Sequence, residues 1–137
     1  MDTLSPVERS RRMRLIRSKD TGPERTVRHL VHRMGYRYRL HREDLPGRPD
    51  LVFPSRRCVI FVHGCFWHRH THCLLARWPK SRLDFWKPKL DGNKARDARH
   101  LRDLKHLGWR PLTVWECELS DLARVERAVR VFLEGNL

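Results

Sequence analysis

Three stretches of the chain carry apolar residues at helical spacing, and each is bounded by capping signals. The first opens with the capping sequence of residues 21–24 and stops at Gly35. Its apolar face consists of Val27, Leu30, Val31 and Met34. The second spans residues 93–107, and its apolar stripe consists of Ala98, Leu101 and Leu104. The third follows Ser120, its expected cap, and its inward face consists of Leu122, Val125, Val129, Phe132 and Leu133.

Shorter apolar runs between these helices predict strands. Four such runs occur, at residues 36–40, 50–53, 57–62 and 111–115. The run at 57–62 is the most continuously apolar, which is typical of a central strand, and Pro111 takes the first position of the last run. Residues 64–91 predict a long irregular loop, which in a compact domain is usually functional. The pattern as a whole predicts one mixed α/β domain over residues 1–137, with a small sheet flanked by helices.

The charge of the chain indicates an anionic partner. The 137 residues include 30 Lys and Arg against 16 Asp and Glu, which gives a formal net charge of +14. Self-repulsion of this size favours binding to a phosphate backbone. Residues 1–20 are especially basic and predict a helix from Ser5, which is either a solvated face or an arm that lies along DNA. No run approaches the ~18 apolar residues of a membrane-spanning helix, so we expect a soluble intracellular protein.

Cysteines and histidines cluster in one segment and predict a zinc site. Cys65 and Cys73 flank a run of histidines, and Cys117 follows the last predicted strand. Three thiolates and one imidazole form a closed tetrahedral set for structural zinc, with His70 favoured over His72 as the imidazole ligand. The alternative is that these are ordinary buried thiols and exposed histidines. Cys58 lies inside the apolar strand and is interpreted as a small core residue.

Asp50 begins a predicted strand directly after Arg48-Pro49. A Pro-Asp pair at this place is the first half of the acidic signature of many magnesium-dependent nucleases, because carboxylate oxygen suits Mg²⁺. The second half, an acidic residue and a lysine on the next strand, is absent from residues 59–63. Asp50 is therefore either a metal ligand completed by phosphates, waters, carbonyls and histidines, or a residue that caps a turn.

Two aromatic pairs lie in basic, irregular stretches of the sequence. They are Phe66-Trp67 and Phe85-Trp86. Exposed rings of this kind stack on bases or wedge between them, or else pack over the zinc loop.

Four motifs together resemble one family, the very short patch repair (Vsr-type) DNA mismatch endonucleases. The motifs lie at residues 17–24, 46–50, 63–73 and 108–117, and the resemblance runs from about Ser10 to Cys117. The run Gly-Cys-Phe-Trp-His at residues 64–68 is its most specific part. The resemblance implies a restriction-endonuclease-like α/β core with a structural zinc. It also implies a nick immediately 5′ of the thymine in a T:G mismatch, the lesion left when 5-methylcytosine deaminates.

The resemblance also implies roles for individual residues of the reaction site. Asp50 matches the aspartate that bridges two magnesium ions, and His68 matches the general base that activates water. Glu24 and His63 match supporting polar residues. Val62 stands where a threonine can occur in the family, so any metal ligation there would come from its carbonyl oxygen.

Further implied roles concern zinc and DNA. The residues that match the zinc ligands are Cys65, His70, Cys73 and Cys117. The residues that match rings inserted at the mismatch are Phe66, Trp67 and Trp86. The N-terminal helix matches one lying in the minor groove, and the residues expected on the DNA backbone are Arg12, Arg14, Arg17 and Lys19.

The resemblance finally implies a monomer in the bacterial cytoplasm, associated with the nucleoid. Its expected partner is double-stranded DNA with a T:G mismatch, and mismatch-repair proteins are candidate protein partners. The competing interpretation is a zinc-stapled DNA-binding module without catalysis, in which Asp50 caps a turn and His68 faces solvent. A third interpretation, a basic protein that binds RNA or a membrane surface, does not account for the cysteines.

Overall fold

A computed structural model describes residues 21–135, and the first helix within that range is α1, Gly22–Arg33. The Thr21 hydroxyl oxygen accepts a hydrogen bond from the Glu24 amide at 3.4 Å, as the capping sequence predicts. Gly35 ends the helix with a φ of +100°, a left-handed conformation that glycine adopts without strain. The predicted helix from Ser5 lies outside the described residues. So do the expected DNA-backbone residues, which are Arg12, Arg14, Arg17 and Lys19.

The sheet of the described residues has three strands. They are β1 (Leu51–Phe53), β2 (Cys58–His63) and β3 (Arg110–Trp115). Their order is β1-β2-β3, with β1 antiparallel to β2 and β3 parallel to it. All six residues of β2 are buried, so the prediction of a central apolar strand is confirmed.

Helices cover both faces of this sheet. After β2 come α2 (Cys65–His68) and α3 (Leu83–His106), and α4 (Leu122–Glu134) follows β3. Short 3₁₀ helices lie at Pro54–Arg56, Leu74–Ala76 and Glu116–Ser120. One sheet face packs against α1 and α4, through residues such as Ile60, Val27 and Val129. The other face packs against α3, through Phe61 and Leu104.

Two strand predictions need correction. Residues 36–40 do not form a strand, because they meet the sheet only at an isolated bridge between Arg39 and Val52. The alternation there reflects tyrosine packing instead, since Tyr38 lies against the core and its hydroxyl donates to the Arg28 carbonyl at 3.1 Å. Pro111 takes the second position of β3, which among residues 21–135 has only β2 as a neighbouring strand and therefore tolerates a missing amide proton.

The prediction of an irregular loop over residues 64–91 is wrong in part. The segment contains α2, and α3 begins at Leu83, ten positions before the predicted start. Pro88 lies inside α3 and made this turn resemble a loop, but the fully buried side chain of Leu90 fixes the turn to the core. Ala98 is exposed, so Leu101 and Leu104 are the members of the predicted apolar stripe that pack against the core.

The last helix also starts one residue later than predicted. Asp121 is its cap and accepts the Arg124 amide at 3.2 Å, whereas the Ser120 hydroxyl donates to the Cys117 carbonyl. Of the predicted inward residues, Leu122 is exposed and Phe132 is half-buried. The buried ones are Val125, Val129 and Leu133. No helix among residues 21–135 combines the length and apolarity needed to cross a membrane.

Candidate functional site

Four predicted zinc ligands meet at one point of the structure. Their donor atoms lie within 4.8 Å of one another, and the residues are Cys65, His70, Cys73 and Cys117. The His70 Nδ1 lies 3.6 Å from the Cys65 Sγ and 3.4 Å from the Cys117 Sγ. Tetrahedral zinc with bonds of about 2.0–2.3 Å separates its ligand atoms by about 3.3–3.8 Å, so the donor set fits this ion. His72 is exposed and lies outside the cluster.

The chemistry of this cluster also favours a cation. Burial, together with the neighbouring thiols, raises the pKa of Cys65 to about 12. The free thiol is therefore protonated at neutral pH, and a cation held here would bind it as thiolate by displacing that proton. The His70 ring stacks on Trp115 at the end of β3, with centroids 4.2 Å apart. A metal held here would join α2 and its following loop to the far end of β3.

Asp50 lies at the start of β1, where the sheet fixes both its backbone and its side chain. Its amide donates to the Ile60 carbonyl at 3.0 Å, and its Oδ2 accepts the Val62 amide at 2.6 Å. Burial, reinforced by the charge of Glu24, raises the pKa of Asp50 to about 7, although the Val62 hydrogen bond opposes this shift. A divalent cation beside the carboxylate would offset the cost of its negative charge.

His68 ends α2 and is held by two neighbours. Its Nδ1 lies 2.5 Å from the Oδ2 of Asp97 on α3, and its ring stacks on that of His63 with centroids 3.8 Å apart and planes 5° apart. Burial first, and then the charge of His68, lower the pKa of His63 to about 3, so His63 is a neutral imidazole. Asp97 occupies the Nδ1 of His68, which leaves the Nε2 to accept a proton.

His63, His68 and Asp97 lie close enough together to be considered as a metal site. A metal ion lies in the plane of each imidazole that binds it, and two parallel rings stacked at 3.8 Å cannot both direct a nitrogen at one ion. We therefore interpret the three residues as a hydrogen-bonded His68–Asp97 pair supported by the His63 ring.

The predicted reaction-site residues line one cavity of about 760 Å³. Asp50 and His68, the predicted metal ligand and general base, both face it. The other predicted residues in its wall are Glu24, Val62 and His63. Glu24 is buried and forms an ion pair with Arg28 at 3.3 Å.

A second cavity of about 750 Å³ connects the reaction site to the aromatic residues. His68 and Asp97 line both cavities, and Phe66 and Trp67 line the second. The rings of Phe66, Trp67 and Trp86 contact one another edge to face, with centroids 5.1–5.8 Å apart. These three half-buried rings form what we call the aromatic cluster. In the free protein its rings therefore pack on each other beside the cavity.

Two residues that support this site, Asp97 and Arg69, were not predicted from the sequence. The signal for Asp97 was its position one turn before Leu101 and two turns before Leu104, where a polar residue continues a buried stripe. Arg69 is buried despite its charge, donates to the Phe66 carbonyl at 3.3 Å and to the Ala76 carbonyl, and stacks on Trp78. It therefore links the backbone of α2 at Phe66 to the 3₁₀ helix that ends at Ala76.

Comparisons with known proteins identify the family of this chain. A sequence profile described as DNA mismatch endonuclease Vsr matches residues 1–74. The Type II nicking enzyme V.XorIIP of Xanthomonas oryzae pv. oryzae is 56% identical over 133 residues, which cover 97% of each chain. The DNA mismatch endonuclease Vsr of Escherichia coli is 44% identical over 92% of this chain and 84% of its own length. The Type II nicking enzyme V.NmeAIP of Neisseria meningitidis is 39% identical over 94% of each chain.

Fold, site and relatives together define a small α/β endonuclease that acts on DNA. The chain belongs to the Vsr family of DNA mismatch endonucleases.

Proposed function

We propose that this protein nicks one strand of duplex DNA immediately 5′ of the thymine in a T:G mismatch, by Mg²⁺-dependent hydrolysis. The observation that carries the proposal is that Asp50 and the His68–Asp97 pair face one cavity, which adjoins the aromatic cluster. We further infer a single domain over residues 1–137 with a restriction-endonuclease-like core. Acting on chromosomal DNA, it would work as a monomer in the bacterial cytoplasm.

The proposed magnesium ligands are the Asp50 carboxylate and the Val62 carbonyl oxygen. Mg²⁺ prefers oxygen donors and keeps several waters, so two protein groups beside a substrate phosphate fit its chemistry. When bound, one or two such ions stabilise negative charge on the phosphate and on the leaving 3′ oxygen. The hydrogen bond from the Val62 amide orients the Asp50 carboxylate. Glu24 adds negative charge that attracts the ion.

His68 is the proposed general base. A neutral imidazole nitrogen within reach of a water molecule can accept its proton. Asp97 holds the ring through Nδ1, and the neutral His63 ring supports its face without adding a competing charge. The proton leaves the attacking water for the Nε2 of His68, and the resulting imidazolium is stabilised by Asp97.

The proposed zinc ligands are Cys65, His70, Cys73 and Cys117, and four protein ligands leave no open position for water. The zinc is therefore structural in this proposal. It holds both ends of the segment that carries Phe66, Trp67 and His68, so the rings and the base keep one orientation relative to Asp50.

Mismatch selectivity is proposed to come from insertion of Phe66, Trp67 and Trp86 at the mispaired step. Wedging a ring between base pairs costs a few kcal/mol, and least where pairing is already weak. The basic surface supplies attraction that is independent of sequence and falls with salt. The residues expected to contact the backbone are Arg12, Arg14, Arg17 and Lys19.

The competing class, a DNA-binding module without catalysis, makes a different prediction. A module of that kind would not need Asp50, His68 and Asp97 to line one cavity, and the fact that all three line it supports the catalytic proposal. Plasmid DNA incubated with such a module would stay intact with Mg²⁺ as well as with chelator.

The test separates binding from nicking. Wild type and Asp50→Asn are incubated with a labelled T:G duplex, and binding is measured without Mg²⁺ and nicking with it. We expect both proteins to bind and only wild type to nick. Nicking by Asp50→Asn at the wild-type rate would overturn the assignment of Asp50.

A further inference from the structure

We propose that the exposed face of α1 is a phosphate-binding groove for the DNA strand beside the cut. The groove is a cavity of about 540 Å³ lined by Arg25, Arg28, His29, His32 and Tyr38. This inference deepens the proposed function, since it requires that duplex DNA occupies the cavity that holds Asp50.

The residues of the groove lie on one face of the helix. Arg25, Arg28, His29 and His32 follow the spacing i, i+3, i+4 and i+7, which places their side chains together. The buried residues of α1 on the opposite face include Val27, Leu30 and Val31, which pack on the sheet. The cationic face is therefore turned outward by the same periodicity that forms the core.

The groove continues directly from the reaction cavity. Arg28 lines both spaces, and its guanidinium is held 3.3 Å from Glu24, a residue of the reaction cavity wall. Tyr38 closes the other side, because its hydroxyl donates to the Arg28 carbonyl. A strand that places one phosphate at Asp50 therefore has a basic channel for its next phosphates.

Charge and length fit a nucleic-acid strand. None of the five lining residues is acidic, and Arg25, His29 and His32 are exposed. Arginine binds phosphate oxygens in a fork, and imidazole nitrogens donate single hydrogen bonds. From Arg25 to His32 the helix rises about 10 Å, which equals about three nucleotide steps when each step advances about 3.4 Å along the duplex axis.

The test measures binding of a fluorescent T:G duplex as a function of KCl concentration, without Mg²⁺. Arg25→Ala should reduce the slope of log affinity against log salt by about 0.9, the value of one phosphate contact. It should weaken T:G and fully paired duplexes by the same factor, and Arg25→Lys should restore most of the loss. Lys105→Ala is the matched control, because Lys105 lies on α3 across the sheet.

Methylphosphonate substitution locates the contact. Neutralising single phosphates within three nucleotides of the cut should weaken duplex binding by wild type at one or two positions. At those positions the same substitution should not weaken duplex binding by Arg25→Ala any further. An unchanged salt slope in Arg25→Ala, or an equal loss in Lys105→Ala, would overturn the groove. Either result is independent of nicking, so the proposed function is judged separately by whether wild type cuts the T:G strand.

Discussion

The Nδ1 of His68 and the Oδ2 of Asp97 lie 2.5 Å apart, which joins the end of α2 to the middle of α3. The pair has the geometry by which a carboxylate fixes the tautomer of a catalytic imidazole and stabilises its protonated form. It also connects the two cavities, since both residues line each of them.

Asp97→Asn should slow nicking by about 10²–10⁴-fold while leaving duplex affinity unchanged, because the amide favours the wrong tautomer of His68. Single-turnover nicking and anisotropy measure the two quantities. Asp103→Asn, an exposed site on the same helix, is the control and should behave as wild type. A loss of binding equal to the loss of rate would instead assign Asp97 a purely structural part.

Cys117→Ser should lose the bound zinc and the cooperative unfolding transition, because metal binding contributes to the free energy of folding. Zinc content is measured by mass spectrometry and unfolding by circular dichroism. Cys58→Ser serves as the control, since this buried thiol lies outside the cluster and should keep one zinc per chain. Full zinc occupancy in a folded, active Cys117→Ser would show that the ligand set is wrong.

Trp67→Ala should reduce discrimination between T:G and T:A duplexes by about 1–3 kcal/mol, or about 5- to 150-fold, which is the range for one stacked base. Phe85→Ala is the comparison, because Phe85 is exposed and touches the aromatic cluster through Trp86. The ratio of nicking efficiencies on the two duplexes is measured for each protein. Equal losses on both duplexes for Trp67→Ala would favour a packing role.

In Mg²⁺-free buffer, the free energy of unfolding should depend on pH through both Asp50 and His63, with opposite signs. The pKa of Asp50 is raised in the fold from 3.8 to about 7, so its contribution to stability is present below pH 3.8 and is lost as pH rises to 7. The pKa of His63 is lowered from 6.5 to about 3, so its contribution is present above pH 6.5 and is lost as pH falls. In wild type the two slopes oppose each other between pH 4 and 6.5.

Single substitutions separate the two dependences. Asp50→Asn should exceed wild type in stability above pH 7, by up to about 4 kcal/mol at 1.36 kcal/mol per pKa unit. His63→Gln should lose stability as pH rises from 5.5 to 7. Urea unfolding between pH 5.5 and 8 provides the measurement, and parallel curves for all three proteins would refute both assignments. Adding Mg²⁺ should stabilise wild type and not Asp50→Asn.

Much of the fold could be predicted from local signals. The capping sequence before α1 and the apolar run of β2 contain enough information to fix those elements, and both are confirmed. The start of α3 could not be predicted, because Pro88 and the aromatic residues around it resemble a loop until Leu90 is seen in the core. Tertiary packing makes this turn helical, although the local sequence disfavours a helix.

The candidate site could likewise be predicted from the sequence only in part. The grouping of Cys65, Cys73 and Cys117 was expected from their spacing and from the family, and the structure brings them together with His70. Asp97 is distant in sequence and becomes visible only when α3 packs beside α2. The partner of a functional side chain on another element depends on tertiary packing, which periodicity does not encode.

The most direct measurement uses duplexes labelled on either strand and carrying T:G, T:A, C:G or A:G at one position, with Mg²⁺ present. The account predicts one nick, on the thymine strand of the T:G duplex and immediately 5′ of the mispaired thymine. Cutting of the T:A duplex at the same rate, or of both strands, would contradict it.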